Sequence, residues 1–211
     1  MIQGMTYDEL NVLAGMKRSV PYELYFGEMS IPEEGKRKRT EFAEDLEEEF
    51  LLALSMMFTM QQYGNMDWDL VRRSLEEGYR AAIGHYASLD EFLESYATTF
   101  AFDVIETTRN HADTPYYYST DRAMYMAENE ANTVLNHDDY SGAVREGRTR
   151  KRWIAIRDEV TRATHIDVDY TEIPIDGIFR VGGSLMLYPK DTSLGASPEE
   201  YINCRCSILY I

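Results

Sequence analysis

The chain has 211 residues, 44% of them hydrophobic, and a formal charge of −16. This composition can build a real core, and the excess of acid excludes a protein whose main work is coating phosphate backbones. No run of about 18 apolar residues occurs and the N-terminus lacks a basic-then-apolar leader, so no membrane partner is expected and the chain should stay in the cytoplasm that makes it. The two cysteines, Cys204 and Cys206, are too close for a relaxed disulfide and too few for a disulfide framework, which fits a reducing compartment.

The charge is uneven. Residues 1–144 carry 11 Lys+Arg against 27 Asp+Glu, whereas residues 145–211 carry 10 of each. The sequence therefore predicts an α+β protein, with an acidic helical region over 1–147 followed by a small β-rich module over 148–211.

After a short opening segment and the basic cluster Lys36 to Arg39, Phe42, Leu46, Phe50, Leu54 and Met57-Phe58 recur at helical spacing up to about Gln62. Asn65-Met66-Asp67 opens a second helix carrying Trp68, Val71, Leu75, Tyr79 and Ile83. Ser88-Leu89-Asp90-Glu91 has capping-box order and predicts a third, with Phe92, Tyr96, Phe100 and Val104 as its stripe, ended by His111 to Pro115. A fourth is expected from Thr120 to Val144, with Met124, Ala127, Ala131, Val134 and Leu135 facing inward. Met and aromatic stripes of this kind are core, and none is assigned a ligand.

From Trp153 onward short β-like runs take over, at Arg152–Ile156, Ile178–Val181, Ser184–Tyr188 and Arg205–Tyr210, and Gly182-Gly183 between two of them signals a hairpin. Asp158, Arg162 and His165 form the most reactive-looking cluster. An imidazole near a carboxylate can act as a general base and an Arg can hold phosphate, yet the same three can brace a long loop, Asp158 pairing with Arg162 and His165 packing beneath. No nucleophile elbow, phosphate loop or dinucleotide fingerprint is present, and no catalytic residue is assigned. Arg148, Arg150, Lys151 and Arg152 make a basic connector that suits a partner surface or DNA.

One ordered series carries a resemblance: Arg122-Ala123, Met126 to Glu130, Asn136, Gly147, Trp153, Asp158, Arg162, His165, Pro174, Phe179, Pro189, Asp191 and Asn203-Cys204-Arg205-Cys206. Over roughly residues 120–211 it resembles the head-morphogenesis domain of phage minor head proteins, the Mu protein F-like family. The resemblance implies a non-enzymatic virion component inside the capsid or at the portal vertex, acting in head assembly or DNA ejection. Its partners would be portal or capsid protein, packaged DNA through the basic connector, or other copies of itself. Trp153, Asp158, Arg162, His165, Asn203, Cys204 and Cys206 would then form a structural cluster. The alternative is a nuclease or nucleotide-transferring enzyme centred on Arg162 and His165.

Some members of that family carry a Cys-x-x-Cys pair after the Trp and a His before the terminal Asn-Cys-Arg-Cys, a set that looks like a metal site. Here Thr161 to His165 contains no cysteine and Tyr201-Ile202 precedes Asn203. No cofactor or metal is therefore expected. Cys204 and Cys206, read as neighbours on one strand face, would need His165 and a carboxylate to converge on them.

Overall fold

A computed structural model describes residues 21–211. The first twenty residues of the acidic region lie outside the described part. The order is α1 (Tyr22–Gly27), α2 (Glu33–Tyr63), α3 (Trp68–Tyr86), α4 (Glu91–Asn110), a 3-10 turn (Pro115–Tyr118) and α5 (Thr120–Arg145). There follow β1 (Arg150–Ile154), α6 (Ala163–Asp167), β2 (Glu172–Pro174), β3 (Phe179–Val181), β4 (Ser184–Met186), α7 (Pro198–Tyr201) and β5 (Ser207–Tyr210). The fold class is α+β, as the periodicity predicts. No described helix is long and apolar enough to cross a membrane. Two compact units are present: Glu41–Glu130 forms one, and residues 21–40 join Ala131–Ile211 in the other. The texture of the sequence changes near residue 147, whereas the division by compactness falls inside α5.

In the helical unit, α2 buries Phe42, Leu46, Phe50, Leu54 and Met57, and α3 buries Val71, Leu75, Tyr79 and Ile83. Asp67 caps α3, its carboxylate accepting from the Leu70 amide at 2.9 Å. The start of α4 differs from the expectation. Asp90, not Ser88, is the cap, accepting from the Leu93 amide at 3.0 Å, and the helix begins at Glu91. The buried row is shifted too: Leu93, Ala97, Ala101, Val104 and Ile105 face inward, while Phe92, Tyr96 and Phe100 are not fully buried. Ala97 and Ala101 fill the close positions, and the Phe100 ring leans across to Phe50 and Tyr79 at 5.1 and 4.7 Å between centroids. Such aromatic contacts contribute about 0.5–1.5 kcal/mol each beyond their area.

Helix α5 buries polar side chains as well as the expected apolar row, of which Met124 is only half-buried. Ala127, Ala131, Val134 and Leu135 are buried, but so are Arg122, Glu128, Asn129, Asn132, Thr133 and Asn136. Ser119 caps it, its hydroxyl accepting from the Arg122 amide at 3.2 Å. Within the helical unit the Arg122 guanidinium donates to Thr108 Oγ1 and to the Tyr117 carbonyl, both at 2.6 Å, tying α4 and the 3-10 turn to α5. Tyr79 donates to Glu130 at 2.8 Å. Buried polar groups are tolerable only when partnered in this way.

In the second unit β1 is the centre of a three-stranded antiparallel sheet, order β2-β1-β5, with Trp153 opposite Ile208 and Arg152 opposite Glu172. The Gly182-Gly183 hairpin is present, Val181 pairing with Ser184. Gly182 has φ +57, a backbone that favours glycine, and a β-carbon there would meet a Glu200 carboxylate oxygen at 2.2 Å and push that side chain aside. Trp153, Phe179, Val181, Met186, Cys204 and Cys206 form the core of this unit.

Lys151 corrects the reading of the basic connector. It alternates inward on β1 and is fully buried, its ammonium lying over the rings of Tyr140 and Phe179 at 4.8 and 5.5 Å, so it cannot face a partner or DNA. Burial pushes its pKa down from 10.5 to about 8, against the opposing charges of Asp191 and Asp176. Because the unfolded chain holds this proton more tightly, stability contributed at this site rises as pH climbs from about 8 to above 10. Lys151→Met should abolish that rise and stabilise the protein at pH 7, by roughly 3 kcal/mol at most. Urea unfolding across this pH range checks both outcomes.

Candidate functional site

The residues singled out in the C-terminal module meet where β1, α6 and the segment before β5 converge. Trp153 anchors the floor, edge-on to Phe179 at 5.2 Å and to His165 at 5.8 Å. α6 is a single turn that begins after Arg162 and carries His165 inward, where only 2% of it is exposed. Asn203 takes a left-handed backbone, φ 55, a conformation Asn accepts more readily than most residues. That turn sends the following chain back under α6. β5 starts only at Ser207, so Cys204 and Cys206 lie on the loop before it and not on a strand face as expected.

The sulfurs nevertheless converge. His165 Nδ1 lies 3.3 Å from Cys206 Sγ and 3.5 Å from Cys204 Sγ, and the three donor atoms all lie within 4.8 Å of one another. On the other side of the ring, Nε2 is 3.2 Å from Glu200 Oε2, which also accepts from Thr164 at 2.8 Å. Burial opposes charge on the imidazole, but the Cys204 sulfur and Glu200 outweigh it and raise the His165 pKa. Burial pushes the Cys204 thiol up, yet hydrogen bonding to Cys206, the imidazole of His165 and the charge of Lys190 outweigh it and bring it below the usual thiol range. Its hydrogen bond to Cys204, with burial, pushes the Cys206 thiol up. Glu200 is not among the candidates the sequence offers, and nothing local in Pro198-Glu199-Glu200-Tyr201 marks it.

Asp158 and Arg162 do not pair with each other. Asp158 turns one oxygen to the Val160 amide and the Thr161 hydroxyl, at 3.2 and 2.6 Å, closing its own loop, and the other to Arg205. Burial would raise its carboxyl, but the hydroxyl and the guanidinium of Arg205 hold it below the usual carboxylate range. Arg162 donates to the Ile202 carbonyl at 2.5 Å. Both residues therefore brace loops, each with a partner in the segment 202–205. Arg205 continues outward to Glu28 at 2.6 Å and lies over the Tyr25 ring, 5.5 Å away, which fastens α1 and the turn after it to this segment. The resulting cleft, about 280 Å³ with its open mouth included, is lined by Asp158, Arg162, His165, Asn203, Cys204 and Cys206 among others.

Beneath the cleft, α5 holds the loops from below. Asn132 donates to the Cys204 carbonyl at 2.9 Å, and Asn136 donates to the Pro189 carbonyl at 3.1 Å. Arg39, buried despite its place in a basic cluster, donates to both asparagines at 3.1 and 3.0 Å and to Asp139 at 2.8 Å. Of the remaining connector arginines, Arg148 pairs with Glu146, and Arg150 and Arg152 share Glu172.

Asn132→Leu would leave the Arg39 Nε and the Cys204 carbonyl without this partner. Each buried group left unsatisfied costs about 1–3 kcal/mol, so the variant should lose roughly 2–4 kcal/mol in denaturant unfolding with an unchanged m-value. A loss below about 1 kcal/mol, measured in the same way, would show that α5 does not hold the loop.

A family model described as Phage Mu protein F like protein matches residues 102–209, 108 of the 211 residues. Comparison with curated proteins gave no match, and comparison with solved structures gave none. The matched segment runs from within α4 to within β5 and takes in Arg122, Asn136, Trp153, Asp158, Arg162, His165 and the Asn203 to Cys206 segment. Spanning more than half of the sequence and the cluster from Trp153 to Cys206, this match makes the chain a member of the Phage Mu protein F like family, a phage head-morphogenesis family.

Proposed function

We propose that the protein is a minor head protein of a tailed bacteriophage, a structural component held at the portal vertex or inside the capsid that acts in head assembly or DNA delivery. The family match carries this reading. The site supports it: two of the residues that looked most reactive brace loops, Asp158 through Arg205 and Arg162 through the Ile202 carbonyl, and Asp158 does not face His165 as a catalytic partner. The protein is in this reading not an enzyme. Portal and capsid proteins are its partners, with further copies of itself and packaged DNA as additional contacts. Its location is the virion, after assembly in the host cytoplasm.

The contact surface in this proposal is the exposed part of the connector, Arg148, Arg150 and Arg152, with Lys151 left out because it is core. Their ion pairs are on the surface and hold little of the fold. Copurification with portal rings and mature particles of the encoding phage tests the role. The wild-type chain should enter particles, and Arg148→Glu with Arg150→Glu should lose association while keeping an unchanged unfolding midpoint. Absence from particles, or a nuclease activity that Arg162→Ala removes from a folded chain, would turn the reading toward the enzyme.

A further inference from the structure

We propose that His165, Cys204 and Cys206 form a zinc site, with a fourth coordination position open to the cleft and Glu200 orienting the histidine from behind. The proposal goes beyond the assembly role and does not depend on it. Zinc bound by two thiolates and an imidazole has bonds of about 2.3 Å to sulfur and 2.0–2.1 Å to nitrogen, so tetrahedral donors around one ion stand roughly 3.5–4 Å apart. Here the nitrogen lies 3.3 and 3.5 Å from the two sulfurs, with all three donor atoms inside 4.8 Å. All three residues are buried, at 2–3% exposure, so the donors are held by the core and are not meeting by chance on a mobile surface.

The surroundings of the histidine point the same way. A metal-bound histidine characteristically gives its other ring N–H to a carboxylate, which fixes the tautomer and aims the free nitrogen at the ion. Glu200 occupies that position on Nε2, and Glu200 is itself held by Thr164 and by the close approach of Gly182. Because it contacts Nε2 and the sulfurs face Nδ1, Glu200 is an orienting group and not the fourth ligand. The carbonyl of Cys204 is pinned by Asn132, which fixes the loop that carries both sulfurs. Among the described residues no further His, Cys or carboxylate joins the three donors. His165, Cys204 and Cys206 line the cleft, so the fourth place is open to a water molecule or another small ligand. Two sulfurs and one nitrogen in tetrahedral array favour zinc over magnesium or calcium, which prefer six or more oxygens.

The test uses the untagged full chain, expressed with added zinc and purified under reductant without chelator. Elemental analysis should find one zinc per chain. Cobalt(II) in its place should give thiolate-to-metal charge-transfer absorption and the intense visible bands of tetrahedral coordination. Cys204→Ser and Cys206→Ser should each lose the metal. Should either fail to fold, the cobalt spectrum of the wild-type chain decides alone. Glu200→Gln should fold and keep the same spectrum but bind zinc roughly 10–100-fold more weakly in competition with a chromophoric chelator. The proposal is overturned if the folded wild-type chain holds no zinc and both thiols titrate freely, or if cobalt gives only the weak bands of octahedral coordination. Rapid alkylation of Cys204 that added zinc does not slow would overturn it equally, and would identify a nucleophilic thiolate instead.

Discussion

The second unit depends on a helix that buries amides where a helix usually buries hydrocarbon. Asn132 and Asn136 lie one turn apart on α5, and each donates its amide hydrogen to the carbonyl of a distant loop while its oxygen accepts from Arg39. A guanidinium with five donors is the one side chain that can serve two asparagines, the carboxylate of Asp139 and a backbone carbonyl together. Each loop end is thereby fixed by a directional bond, which apolar packing does not provide. The loops between β1 and β5 have little regular structure of their own, so their positions derive from such anchors.

The anchors form a continuous order. Arg39 sets the two asparagines, Asn132 sets the Cys204 carbonyl, and the left-handed turn at Asn203 sets the direction in which the sulfurs leave. Arg162 and Arg205 hold the same segment from either side, through the Ile202 carbonyl and Asp158. The Asn203 to Cys206 run is short, yet its four residues divide the geometry among them, since Asn203 makes the turn, Cys204 and Cys206 supply the sulfurs, and Arg205 between them clamps outward. Replacing that arginine would release Asp158 and Glu28 together, which is why a clamp of this kind belongs to the loop and not to its surroundings.

How much of this the sequence shows follows from the range of each interaction. The rows on α2 and α3, the extent of α5 and the Gly182-Gly183 turn depend on neighbours three or four residues away or on a single residue's φ, and periodicity reports them directly. The α4 cap is ambiguous locally because Ser88 and Asp90 both satisfy capping logic, and packing chooses between two starts two residues apart. The sequence pattern opens β1 two residues late, which preserves the in-and-out parity but hides that Arg150 already pairs with Pro174. β2, at three residues, is defined by its partner and has no pattern of its own. The buried role of Arg39 is invisible in the sequence because its partners lie 93 to 100 residues away and its neighbours are basic. Asp158 and Arg162 have opposite charge at helical spacing, but the chain between them is a loop, so the pairing that looks natural gives way to Arg205, 47 residues on.

Charge in the C-terminal module is therefore used in two ways. Arg205, with Arg39 beside the module, is built into the fold: loss of Arg39 leaves the Asn132 and Asn136 oxygens without their donor, and loss of Arg205 leaves the part-buried Asp158 without its counter-charge. Arg148, Arg150 and Arg152 are held by carboxylates at the surface, and exposed pairs exchange readily for other anions because water and salt already screen them. In the proposed assembly role the cations of the second kind are the ones that suit a partner, since committing a structural arginine to it would cost stability at each encounter. The alternation of β1 produces that separation from a run of consecutive basic residues: Arg150 and Arg152 stay on the outer side, and Lys151 between them enters the core. A strand places neighbours on opposite faces whatever their charge, so a basic run in such a position presents only half of its residues to a partner, and the other half must be accommodated by aromatic faces such as those of Tyr140 and Phe179.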